Sequence, residues 1–255
     1  MPDDPAFQPN LYRGTSEYYD RFRVVYPVPM IEDLAIRAEL TGSGRLLDLA
    51  CGTGQITFAM ADRFAEVWAV DEERDMVDVV QQKALTLGTR PIRAICAGAA
   101  TLAVPSEFFE LVGVGNAFHR LDREPVTALI LDWLRPGGCV ALLWSTMPWM
   151  GDRDWQQAFS SILETWKSRT ASSERIPEGW ERARSNRPDA MILGQAGFDL
   201  VGSYRFPTDH RWTIPDLIGN IYSTSFLPAL YLEISPLASR PTLPLDCGLM
   251  QSAGR

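Results

Sequence analysis

The stretch Leu46-Leu47-Asp48-Leu49-Ala50-Cys51-Gly52-Thr53-Gly54 decides how the chain is read. Leu46, Leu47 and Leu49 form the short apolar run of a buried strand, and two glycines stop it. Residues 54–64 read as the helix that follows. Strand, glycine turn and helix in that order let the backbone approach a ligand with no Cβ in the way, beside a helix N-terminus. A second apolar run, residues 66–71, ends on Asp71, 19 residues after Gly52. A carboxylate there accepts both ribose hydroxyls of an adenosine.

Outward from this unit the pattern repeats. A helix at 73–87, strands at 91–96 and 108–115, a helix at 125–134 and a strand at 139–144 follow, with Arg135-Pro136-Gly137-Gly138 as a stop-and-turn signal. Continuous apolar strands alternating with helices imply a parallel sheet covered on both faces. Before the unit, residues 16–24 read as a helix ended by Pro27 and Pro29, and residues 30–40 as another, stopped by Thr41-Gly42-Ser43-Gly44. The alternation breaks at 145–187, which hold Trp149, Trp155, Phe159, Trp166 and Trp180 and a helix at 154–167. A helix at 188–196 and a strand at 198–206 return to the sheet. The expected organisation is lid helices at 1–40, an α/β domain at 41–144 and 188–235, a cap inserted at 145–187 over the acceptor site, and an irregular tail at 236–255.

Composition narrows the partners. With 32 acidic against 24 basic residues the formal charge is −8, and no dense Lys/Arg run offsets it. Such a surface repels a polyanion, so nucleic acid is not expected, and it biases encounters toward a cationic small molecule. No stretch approaches the ~20 apolar residues of a membrane span, and the acidic start Met1-Pro2-Asp3-Asp4-Pro5 is no signal peptide. Cys51, Cys96, Cys139 and Cys247 lack metal or redox spacing, and there are two histidines. A cytoplasmic protein with reduced thiols and no metal site is expected, as a monomer or homodimer.

A glycine turn with a distant acid suits either a nicotinamide enzyme or a sulfonium cofactor. The dinucleotide pattern requires a third glycine where this chain has Thr57. Asp48 in the turn would repel a diphosphate and attract an ammonium or sulfonium. Asp48-x-Ala50-x-Gly52-x-Gly54 resembles the first motif of class I S-adenosylmethionine-dependent methyltransferases, with its first Gly replaced by Ala. The resemblance runs from about Tyr12 to Leu143. It takes in Asp71, Ala97-Gly98-Ala99-Ala100, Asn116-Ala117-Phe118-His119 and Leu134-Arg135-Pro136-Gly137-Gly138. The leader resembles the Y-x-x-x-R…Y-P start of a small-molecule subgroup.

The resemblance implies a Rossmann-like, mostly parallel seven-stranded sheet with helices on both faces, an N-terminal helical lid and an aromatic insertion after the fifth strand. It implies S-adenosylmethionine as cofactor and S-adenosylhomocysteine as product. Asp48 would lie near the cofactor's amino group, with Ala50, Gly52, Thr53 and Gly54 along the methionine moiety. Asp71 takes the ribose, and Glu72 and Met76 flank the adenosine. Ala100 offers an N–H to the adenine. Ala99 stands where relatives commonly carry an acid, and Asn116 belongs to the segment after the fourth strand. Tyr19 and Arg23 are candidates to cover the sulfonium side and pair the carboxylate, and His119 is the candidate general base. The activity implied is methyl transfer to an N or O of a small molecule, an amino sugar or other antibiotic or secondary-metabolite intermediate being one example. A non-catalytic cofactor-binding module, a tRNA or protein methyltransferase and a nicotinamide oxidoreductase stay as alternatives.

Overall fold

Parallel strands buried on both faces require two apolar sides, and the alternation of side chains along β1 (Arg45–Leu49) and β2 (Glu66–Asp71) supplies them. The computed structural model describes residue 7 and residues 10–88, 91–169 and 175–227, so the tail expected at 236–255 lies outside the described residues. With β3 (Ile92–Cys96), β4 (Phe109–Gly115) and β5 (Leu134–Leu143) these strands form one all-parallel sheet in the order β3-β2-β1-β4-β5. The helices in chain order are α1 (Ser16–Phe22), α2 (Val28–Arg37), α3 (Gln55–Met60), α4 (Arg74–Leu87), α5 (Arg123–Trp133), α6 (Asp154–Arg169), α7 (Trp180–Asn186), α8 (Asp189–Gln195) and α9 (Ile214–Tyr222). No described helix is long and apolar enough to cross a membrane.

Leu47, Leu49, Trp68, Val70, Val112 and Val114 face Val126, Ile130 and Trp133 of α5. Their strand neighbours Leu46, Val67 and Leu111 face Ile31 of α2 and Ile56 and Met60 of α3. Each such fully buried side chain contributes about 1.5–3 kcal/mol of transfer free energy. The strand order reverses across β1, between β2 and β4. The crevice beyond the C-terminal ends of these strands is where open α/β sheets bind ligands.

The sheet has five strands among the described residues, not seven. Residues 198–206 do alternate, with Phe198, Leu200, Tyr204 and Phe206 on one side, yet they enter no ladder and 199–205 are exposed. Tyr204 is held elsewhere: its hydroxyl accepts from Arg37 at 2.9 Å and its ring lies 3.6 Å beneath that guanidinium on α2. β5 is consequently only half-buried over residues 138–142 and exposed over 135–137. It also starts earlier than expected. Leu134 already pairs with Phe109, Cys139 with Leu111, and residues 135–138 bulge out between them.

Helix α1 has no buried residue of its own and is held by its neighbours. Tyr18 meets Tyr222 of α9 at 5.2 Å, and Asn220 donates to the Phe22 carbonyl at 3.1 Å. α9 was not anticipated from sequence, although Thr213 and Asp216 form a capping box at its start. Tyr26, after α1, reaches under the sheet ends: a Cβ on Gly115 would stand 2.6 Å from its hydroxyl and 3.1 Å from Ile56 Cδ1. Gly115→Ala is expected to cost about 1–3 kcal/mol by overpacking. Equilibrium urea unfolding measures it, and an unchanged midpoint would refute the contact.

Candidate active site

The crevice is a cavity of about 510 Å³, within the size range of cofactor sites. Its floor comes from the ends of three strands. Ala50 and Gly52 follow β1, Asp71 ends β2, and Ala97 and Ala99 follow β3. The turn after β1 is left-handed at three places, Ala50 (φ 56°), Gly52 (φ 54°) and Gly54 (φ 84°). Ala50 occupies a conformation that costs an L-residue roughly 1–2 kcal/mol. Tyr19 of α1 packs over the turn, and a Cβ on Gly52 would lie 3.3 Å from its ring. Burial pushes the Tyr19 phenol up to about 12, so it is a neutral wall of the cavity.

Asp71 is the electrostatic centre of the floor. One oxygen accepts from Gly52 N at 2.8 Å and the other from Glu73 N at 2.9 Å. A carboxylate has about four acceptor sites, so two remain for hydroxyls in the cavity. Burial raises its pKa, against these two hydrogen bonds. Met76 and Ala99 are apolar walls, and Glu72 lies exposed at the rim. This donor and acceptor set fits an adenosine: a diol acceptor, an apolar slot and a backbone approach free of Cβ atoms.

Several expected residues lie elsewhere. Asp48 does not line the main cavity. It is buried behind the turn, where one oxygen accepts from Thr57 N at 2.9 Å and Thr57 Oγ1 at 2.6 Å. Thr57, standing where a dinucleotide site has its third glycine, therefore anchors the turn to α3. Asp48 opens only on a small recess shared with Tyr19, Tyr26 and Ala50. Thr53 is buried, Gly54 packs on Phe58, and Ala100 is exposed outside the cavity lining. Arg23 donates to Ser223 Oγ (2.8 Å), Ser223 O (3.0 Å) and Met147 Sδ (3.5 Å), so it braces the end of α1 to the turn after α9. Asn116 lines the cavity, but its side chain turns to Tyr26 and Ser145. It thereby ties the ends of β4 and β5 to Tyr26 in the segment between α1 and α2.

His119 lies in the turn after β4 and lines the cavity. Its ring packs between Trp144 and Trp180, each at 5.3 Å, with Phe7 edge-on at 5.9 Å. Burial, and then Arg120, Arg184 and Arg123, lower its pKa to about 3, so the imidazole is neutral at physiological pH. Of the aromatic insertion Trp180 reaches this point, while Trp149 packs on Phe159 and Phe226. The residues missed from sequence are Phe7, Leu11 and Tyr12 of the leader, and Arg120, Asp122 and Arg187 on the far side. The tyrosine- and arginine-rich start was the available signal for the leader; nothing local marks Arg187.

The buried Asp48 gives a pH signature. Burial pushes it up from 3.8 to about 7, against the two Thr57 hydrogen bonds. The folded state disfavours the charged form, so this stabilising contribution is full below pH 4 and is lost as pH rises through 7. Asp48→Asn, which does not titrate, should gain on the wild type in melting temperature from pH 4 to 7. A difference that stays flat in calorimetry rules the shift out. Ala50→Gly should raise stability by about 0.5 kcal/mol, the relief of left-handed strain outweighing the added freedom of the unfolded chain.

A sequence model of the methyltransferase domain matches residues 46–138. An uncharacterized methyltransferase of Mycobacterium tuberculosis is 32% identical over 226 residues, covering 83% of this chain and 84% of that protein. Two solved structures have the same fold. A putative S-adenosyl-L-methionine-dependent methyltransferase of Methanococcus maripaludis gives a TM-score of 0.52 at 16% identity, over 80% of this chain and 90% of the other. A putative methyltransferase of Bacillus halodurans gives 0.50 at 21% identity, over 69% and 70%. The glycine turn, the acid on β2 and the sheet order thus sit in a chain that belongs to the class I S-adenosylmethionine-dependent methyltransferase family.

Proposed function

We propose that the chain methylates an N or O atom of a small molecule within the single cavity shared by Asp71, Gly52 and His119. The observation that carries this is the cavity itself. The adenosine-type floor and the His119 end line one space of about 510 Å³, enough for the cofactor and a compact acceptor. A specialised or secondary metabolite in the cytoplasm is the setting that suits this reading.

When bound, the cofactor supplies a methyl group on a positively charged sulfur, already activated for in-line displacement. The chain's own work is then alignment and exclusion of water. Asp71 holds the diol, Met76 and Ala99 hold the ring, and the turn at Ala50 and Gly52 carries the amino-acid end. Tyr19 closes the turn from above. A neutral His119 accepts a hydrogen bond from the nucleophile and orients its lone pair. With so low a pKa it is a weak proton store, which favours acceptors that need little help losing a proton.

Calorimetric titration with S-adenosylhomocysteine tests the cofactor site. Asp71→Asn should weaken binding roughly 10- to 100-fold, the scale of charge-assisted hydrogen bonds. A wild-type chain that does not bind, or a variant that binds equally well, would overturn the reading. His119 predicts a second outcome: with any turned-over acceptor, kcat/KM between pH 5 and 8 shows no limb from an imidazole, because the neutral form is present throughout. A limb near pH 6.5 that disappears in His119→Gln would contradict it.

A further inference from the structure

Arg120 ends the turn that carries His119 and lines the same cavity. A guanidinium has five N–H donors. One nitrogen, Nη2, donates to Ser225 Oγ at 3.0 Å. Nε and Nη1, with three N–H bonds between them, are buried and have no hydrogen-bond partner. The cation lies against two rings, its Cζ 4.8 Å from the Phe7 centroid and 5.0 Å from that of Tyr12. Its support is itself held: Arg175 donates to the Ser225 carbonyl at 2.6 Å and to that of Leu11 at 2.8 Å.

Arg120 as a residue is half-buried, and its buried donors without partners carry a desolvation cost that an anion would repay. Among the described residues no carboxylate forms an ion pair with Arg120; Asp122 and Glu72 line the cavity without pairing with it, and the other acids of the wall are engaged. Asp71 holds two backbone N–H groups, Glu73 holds Tyr12 N, and Glu124 pairs with Arg187. Asp189 pairs with Arg123 and Arg184. Arg120, Arg184 and Arg123 lower His119 after burial does, so the charges that act on its ring are positive.

We infer that Arg120 receives an oxyanion, a carboxylate or phosphate, carried by the methyl acceptor, and so makes the enzyme selective for anionic substrates. The inference rests on the methyltransferase reading. The ring faces point the same way. Of the aromatic rings that line the cavity, Phe7 and Tyr12 lie against Arg120 and Tyr19 against Arg23, so the ring faces that would attract a cationic acceptor already carry the protein's own cations. The cavity wall is acidic at the Asp71 floor and carries Arg120 at the His119 end, so binding of an acceptor is decided by the local charge and not by the exterior. The cofactor is the weaker candidate for this anion, because the groups that fit it follow β1, β2 and β3, whereas Arg120 follows β4 beside His119.

The test uses the full chain saturated with S-adenosylhomocysteine and ligand-observed NMR. The probes are matched sets: aromatic and aliphatic carboxylates and phosphate monoesters, each beside its neutral amide or alcohol and its amine. At least one anion should bind tenfold or more tighter than its neutral counterpart. Arg120→Gln should abolish that preference and Arg120→Lys keep part of it, with both binding S-adenosylhomocysteine within twofold of wild type. Absence of any preference for anions, preference for the amines, or a preference that survives Arg120→Gln overturns the inference. If Arg120→Gln does not fold, Arg120→Lys alone must lower the anion preference, and an unchanged preference overturns it. Should Arg120→Gln weaken S-adenosylhomocysteine but not 5′-methylthioadenosine, which lacks the carboxylate, Arg120 serves the cofactor and the acceptor assignment falls. A wild-type chain that binds no S-adenosylhomocysteine removes the methyltransferase reading itself, a result separable from all of these.

Discussion

The Asp71 carboxylate is the joint on which the site depends. It sits at the end of β2 and accepts one N–H from the turn after β1 and one from the residue that caps α4. Two elements that share no covalent neighbourhood are thus set at fixed separation by one side chain. The cost is a buried carboxylate whose charged form is disfavoured. A ligand diol would complete its hydrogen-bond shell, so occupancy and local stability are linked.

From this joint the order spreads to the leader and α1. Glu73, held by Asp71, accepts the Tyr12 N–H at 3.0 Å, and Asp75 on the same helix accepts the Gly14 N–H at 2.9 Å. Lys83 reaches Asp20 on α1 and the Thr53 carbonyl in the turn. On its other side α1 is braced by Arg23 against Ser223 and by Phe22 against Gly219 and Asn220. A seven-residue helix with no buried side chain is too short to persist alone. Its position is therefore set by α4 and α9, the elements that would register a ligand beneath it.

The cavity has two electrostatic halves on one continuous wall. The floor under the adenosine-type site is acidic through Asp71, Glu72 and Glu73. The end beyond β4 carries Arg120 beside Asp122 and the Glu124–Arg187 pair, with Arg123 and Arg184 acting on His119. A formal charge of −8 averages over both and over the exterior. Local sign along the cavity wall governs which ligand group stays.

The sequence by itself determined the strand and helix alternation through Arg45–Leu143, the glycine turn, and Asp71 and His119 as cavity residues. Each is a local signal: an apolar run, a stop, an acid or imidazole at a strand end. Tertiary structure decided the rest. The alternating segment 198–206 reads as a strand, but a ladder needs a partner edge, and Tyr204 is held by Arg37 instead. Asp48 and Arg23 carry the right chemistry at the expected spacing, yet Thr57 and Ser223 claim their hydrogen bonds. Arg120 had no distinguishing spacing, and its importance lies in partners it lacks. Periodicity records which side chains are buried, because burial repeats along the chain. It does not record which groups, distant in sequence, compete for one donor or acceptor, because that competition exists only after the elements have packed.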